Sequence, residues 1–194
     1  NAVTVGISIT LGAVVFTMAL IIALVTIVLG FVSMAQHGVA AEMAPSLTIV
    51  VPLTTVLGIF LLRVNHGLGT QFGAHMEHGE YLFLLALLIG VQVAFGLLAI
   101  SVLRAQGYFG RFVTGPESSP GSYALVCPGV GFSVLMQFLI NKGLVAAGVV
   151  AKFGVAYWAL SAISVAALLA TVVLVVILNR KHFAAPVAVA VPAQ

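Results

Sequence analysis

The stretch YALVCPGVGFSVLMQFLINKG, residues 123–143, is almost wholly apolar, yet it opens on Cys-Pro-Gly and closes on a Gln, an Asn and a Lys. A helix breaker and a row of amides make sense in such a run only once its solvent is known. The whole chain gives that solvent. Of 194 residues 62% are hydrophobic and only 6% charged, and the mean hydropathy is +1.28. A soluble domain is about a quarter charged. Seven Lys and Arg with four Asp and Glu cannot furnish a water-facing surface, so the segment is read as lying in lipid. Residues 121–141 are long enough to cross it, since a span needs about 20 apolar residues.

Working outward, charges punctuate the rest into four more spans: about 3–34, 44–63, 81–103 and 154–179. No polar turn divides the first, so it reads as one tilted helix. Continuous apolar runs, in place of short alternating segments, exclude a barrel. The expectation is an all-α integral membrane protein with five transmembrane helices in one membrane domain, residues 1–182. The tail FAAPVAVAVPAQ, 183–194, is too short to span and reads as an extended end. The chain begins at Asn1 and enters an apolar run at once, without a basic leader, so an N-terminal portion is expected to be missing. Basic residues occur singly, which excludes a nucleic-acid surface. A lone cysteine, Cys127, excludes an internal disulfide.

Five spans place the chain ends on opposite sides. One side carries Arg63, Lys142 and Lys152; the other carries Arg104, Arg111, Arg180 and Lys181. The Arg180–Lys181 pair directly after the fifth span points to a cytoplasmic C-terminus by the positive-inside rule. The stretch 104–122, rich in Gly, Pro and Ser, reads as an aqueous loop.

Proline falls only in the second and fourth spans, at Pro52 and Pro128. Inside a membrane helix it leaves a carbonyl without its donor, and such breaks survive where neighbours or a water-lined cavity satisfy them. Kinked inner helices are therefore expected to alternate with straight outer ones. Ser133, Gln137 and Asn141 are spaced i, i+4, i+8 on one helical face, ending at Lys142. Thr48, Pro52 and Thr55 share a face of the second span. Polar groups at membrane depth usually face protein or water. Cys127, Pro128 and Phe132 extend the candidate lining of a solute pathway. The plainer alternative for the Ser and Thr is hydrogen bonding between helices. Cys127, near the start of the fourth span, is also a candidate thiol, because a helix N-terminus lowers thiol pKa.

With kinked helices alternating with straight ones, PSLTIVVPLTTVLGI (45–59) and CPGVGFSVLMQFLINKGLV (127–145) resemble two inner helices of the tellurite-resistance/C4-dicarboxylate transporter family, the family of the slow anion channels. The resemblance implies a fold of ten spans in five hairpin-like pairs around a central pore, with both ends cytoplasmic; these five spans would match the last five. It implies passage of small anions such as dicarboxylates, sulfite or chloride, across a bacterial inner membrane. It also implies that a further half or partner subunits complete the pore, as an oligomer. An aromatic residue can plug the pore in that family; Phe132 and Phe138 flank the polar row here. No membrane-embedded Asp or Glu appears in any span, which argues against a cation-selective ring. No enzyme signature and no cofactor motif is present.

Between the second and third spans, RVNHGLGTQFGAHMEHGEY (63–81) holds His75 and His78 at i, i+3 with Glu80 beside them. On a helical turn these could hold zinc or a similar ion; the alternative is a solvated, glycine-rich loop. The histidines also motivate a second function, the membrane anchor of a haem- or quinol-linked redox complex. Every histidine before the tail lies near a span end or in a loop, away from the mid-membrane depth that a buried haem pair would use.

Overall fold

The computed structural model describes residues 1–183; most of the tail, 184–194, lies outside the described residues. Helices α1 (Ala2–His37), α2 (Val50–Phe72), α3 (His78–Ala105), α4 (Val126–Phe138) and α5 (Val155–Phe183) account for most of it. Among the described residues there is no strand. Five helical segments are long and apolar enough to cross a membrane: Ala2–His37, Ala41–Phe72, His78–Ala105, Pro120–Leu144 and Val155–Phe183. The protein is all-α and built for a lipid bilayer.

The first, third and fifth spans are unbroken α-helices of 36, 28 and 29 residues. The second and fourth are composite. The second begins as a 3-10 helix, Ala41–Ile49, and becomes α2. The fourth begins as a 3-10 turn, Pro120–Leu125, becomes α4, and ends as a π-helical turn, Leu139–Leu144. The two prolines account for the pattern. Pro52 and Pro128 are each the third residue of an α-helix, where the first N–H groups have no intrahelical partner. Proline there starts an α-helix out of a tighter turn; the orphaned carbonyl expected from a mid-span proline does not arise. Pro45 sits inside the 3-10 segment. Hydroxyls serve carbonyls around it: Thr48 Oγ1 donates to Pro45 O at 2.7 Å and Ser46 Oγ to Met43 O at 2.7 Å.

The composite spans form the inner layer. α2 and α4 pack on each other, α1 lies outside α2, α5 lies outside α4, and α3 packs against both α2 and α4. The glycines of CPGVGF explain how closely α4 is held. A Cβ on Gly131 would fall 2.9 Å from Thr55 Oγ1 and 3.3 Å from Pro52 Cα; one on Gly129 would fall 1.9 Å from Thr171 Oγ1 of α5. Without attraction between apolar surfaces in lipid, small residues that let backbones approach supply the packing. Gln92 of α3 ties the third span in, its Nε2 donating to Val51 O at 2.9 Å and Thr55 Oγ1 at 2.7 Å. α1 has no buried residue and rests on α2 through the stacked rings of Phe16 and Phe60, 4.6 Å apart.

Two loops differ from the sequence expectation. Residues 63–72, expected within a flexible loop, continue α2, which stops at Gly73 in the left-handed conformation, φ 69°. Gly67 packs under Val5 and Ile9 of α1, and Gly69 under His75, so these glycines serve close packing inside a helix. The stretch 104–122 is folded onto the bundle. Tyr108 and Phe112 are buried, in a cluster with Ala44 and Leu103. Tyr108 hydroxyl pairs with Ser122 Oγ at 2.8 Å. Lys181 of α5 donates to Phe112 O at 2.8 Å and to Glu117 O. The Arg111 guanidinium, hydrogen-bonded to Glu117, holds that carboxyl below its usual range. Aromatic residues in a glycine-rich loop were the signal that it caps the bundle.

Candidate functional site

The polar row of α4 lies where that helix widens into its π turn. Ser133 faces α5: its Oγ is 3.0 Å from Ser164 Oγ, and Ser164 Oγ lies 3.0 Å from Ser133 O. Two turns on, Asn141 Nδ2 donates to Gln137 O at 2.9 Å and, more weakly, to Gln137 Oε1 at 3.3 Å. Tyr157 of α5 reaches Asn141 Oδ1 at 3.4 Å. These bonds leave the Gln137 amide nitrogen and Lys142 as the donors toward a shallow groove of about 360 Å³, lined by Ser133, Val134, Gln137, Phe138, Asn141 and Lys142.

A second cavity, of about 430 Å³, opens between three helices. α2 contributes Leu62, Arg63 and His66, α3 contributes His78 and Tyr81, and the end of the fourth span contributes Phe138 and Lys142, with Met76 and Ala146 at the rim. Phe138 and Lys142 line both spaces, so the cavity and the groove are neighbours across these two side chains. No carboxylate lines the cavity. The nearest ones in sequence, Glu77 and Glu80, form the capping box of α3, where Glu77 N donates to Glu80 Oε2 at 3.0 Å. The rim is held by Asn65, whose Nδ2 donates to Tyr81 Oη and whose Oδ1 accepts from Met76 N at 3.2 Å. An Arg and a Lys around one opening, with two His as further hydrogen-bonding groups, form a site of positive potential, suited to anions.

The residues expected to line a pathway divide in two. Ser133, Gln137, Asn141 and Lys142 line the groove. Thr48, Pro52, Thr55, Cys127, Pro128 and Phe132 line neither space. Thr48 and Thr55 are buried and spend their hydroxyls on Pro45 O and Val51 O. Pro52 packs on Gly131, and the Cys127 side chain is exposed on the outside of α4. The expected metal set is not assembled. α3 starts at His78, so His75 stays in the connection, against Gly69, and shares no helical turn with it. Glu80 is committed to the cap. Among the described residues no three His, Cys, Asp or Glu side chains gather as a metal site. Arg63, His66 and Tyr81 joined the cavity unannounced. Their signal was periodic: Arg63 and His66 are i, i+3 on one face of a helix longer than the apolar run alone suggests.

The chain matches no protein-family model, no curated protein and no solved structure.

Proposed function

We propose that this membrane protein passes small anions, with the Arg63–His66–His78–Lys142 cavity as its mouth and the Gln137–Asn141 groove as the path leading from it. The observation that carries this reading is the convergence of those four side chains, from three helices, on one cavity without a lining carboxylate. A neutral path beyond such a mouth can still select anions through amide donors and half-helix ends. The interrupted inner helices and their polar face are also what the resemblance to the tellurite-resistance/C4-dicarboxylate transporters rests on. In that reading the anion is a dicarboxylate, sulfite or a related oxyanion. The C-terminus faces the cytoplasm of a bacterial inner membrane, and further spans or a partner subunit cover the open side of the groove. Reconstituted into vesicles, the protein should carry chloride, sulfate or acetate in preference to potassium. Arg63→Gln and Lys142→Gln should each reduce the anion flux roughly tenfold or more, in line with about 1.5–3 kcal/mol for a hydrogen bond to a charged group. Cation flux equal to anion flux, or variants with unchanged flux, would sink the proposal.

A second reading draws on the same cavity. Two histidines on neighbouring helices, His66 and His78, line it, and a redox-complex anchor would use such a pair toward haem iron or a quinol. The visible absorption spectrum of the purified protein separates the two: a Soret band supports the anchor, and its absence leaves the anion path ahead.

A further inference from the structure

The cavity is basic on part of its wall and hydrocarbon on the rest. Leu62, Met76, Phe138 and Ala146 supply the apolar part. That part is fixed in place. Leu62 is buried with Leu85 and Leu135, and Phe138 and Tyr81 pack on the same cluster. Met76 is placed by the bond from its backbone N–H to Asn65. A bare halide or oxyanion in this space would trade water for hydrocarbon along one side and gain nothing there. The volume, about 430 Å³, falls in the range of pockets that enclose whole organic ligands (roughly 300–1,000 Å³).

We infer that the anion held at this mouth is amphiphilic, an anionic head among Arg63, His66, His78 and Lys142 with a hydrocarbon body along Leu62, Met76 and Phe138. The inference rests on the reading of the mouth as an anion site and departs from it in the kind of anion, replacing a bare oxyanion by one that carries a hydrocarbon body. That chemistry has two sources: a free monocarboxylate from the aqueous side, or a lipid-borne anion entering from the bilayer. Arginine can grip a carboxylate or a phosphate with two parallel hydrogen bonds, so both heads suit the basic side.

The test is equilibrium binding of a chain-length series to the purified protein in a neutral detergent. Labelled hexanoate is the probe, and butyrate, acetate, chloride and sulfate are the competitors. Affinity should rise from acetate to hexanoate, by up to roughly fourfold for each methylene buried, with chloride and sulfate the weakest. Met76→Ala should flatten the series, whereas Arg63→Gln should weaken every member alike. A flat series, with chloride and sulfate as effective as hexanoate, overturns the inference and leaves the anion path standing. If hexanoate does not bind, the inference falls, and direct binding of labelled sulfate to the same protein decides whether the anion site falls with it. The wild-type series decides the matter even if a variant does not fold. Repeating it in nanodiscs of phosphatidylcholine and of phosphatidylglycerol identifies the source. Hexanoate binding that persists in both supports a soluble anion. Binding abolished by phosphatidylglycerol alone supports a lipid-borne one.

Discussion

Gly131 shows how much of this fold rests on single atoms. It lies where α4 crosses α2, and a side chain there meets Thr55 Oγ1 and the Pro52 backbone. The hydroxyl can turn away, but the backbone cannot. Gly131→Val should therefore cost about 1–3 kcal/mol, the usual range for overpacking, read as a lowered midpoint in thermal unfolding of the detergent-solubilised protein. A midpoint unchanged from wild type would contradict the close approach of the two inner helices. The same residue feeds the functional argument, because this contact sets how α4 lies beside α2 and so where Arg63 stands relative to Lys142. At this scale the sequence was partly legible. The i, i+4, i+8 spacing put Gln137 and Asn141 on one face and the structure lines a groove with them. The threonines of α2 carry the same polar signal, but each is within reach of a backbone carbonyl one turn back. A hydroxyl in lipid takes that local partner readily, so its presence did not distinguish lining from helix repair.

The elements divide by their termini. Both inner spans start as 3-10 helices and convert to α-helix at a proline in the first α turn. That placement predicts tolerance. Pro52→Ala should change stability by no more than about 1 kcal/mol, because proline in a compatible position acts mainly through the unfolded chain. A loss several times larger would return Pro52 to the role of a mid-helix kink. Apolar runs punctuated by charges located all five spans, because runs of this length have one interpretation in lipid. It placed the end of the second span nine residues early, at 63 against Phe72. Gly67, Gly69 and His66 look like a loop by composition, but they lie in the helix, where Gly67 lets α1 approach through Val5 and Ile9 and Gly69 makes room for His75. The capping box of α3 was similarly hidden: Glu77 and Glu80 carry its spacing, but the adjacent histidines suggested metal ligands.

For the whole molecule, the two ends of the bundle differ. At one end the stretch 104–122 folds over the inner helices, pinned by Lys181 and filled by Tyr108 and Phe112. At the other a basic cavity opens between α2, α3 and α4, with the Gln137–Asn141 groove on the far side of Phe138 and Lys142. This asymmetry was not legible in the sequence, since cavity formation depends on which helices are neighbours. Arg63, His78 and Lys142 are far apart along the chain, and only the packing order brings them together. Passage of anions requires the groove beyond the mouth to be wet. The most direct measurement is labelling of Gln137→Cys, in a Cys127→Ser background, by a membrane-impermeant charged thiol reagent in intact vesicles. Rapid labelling is expected from the side that bears the basic mouth, slowed when a permeant anion is added. A cysteine at 137 that reacts only with an apolar, membrane-soluble maleimide would mean that this face meets lipid, and the anion path would be contradicted.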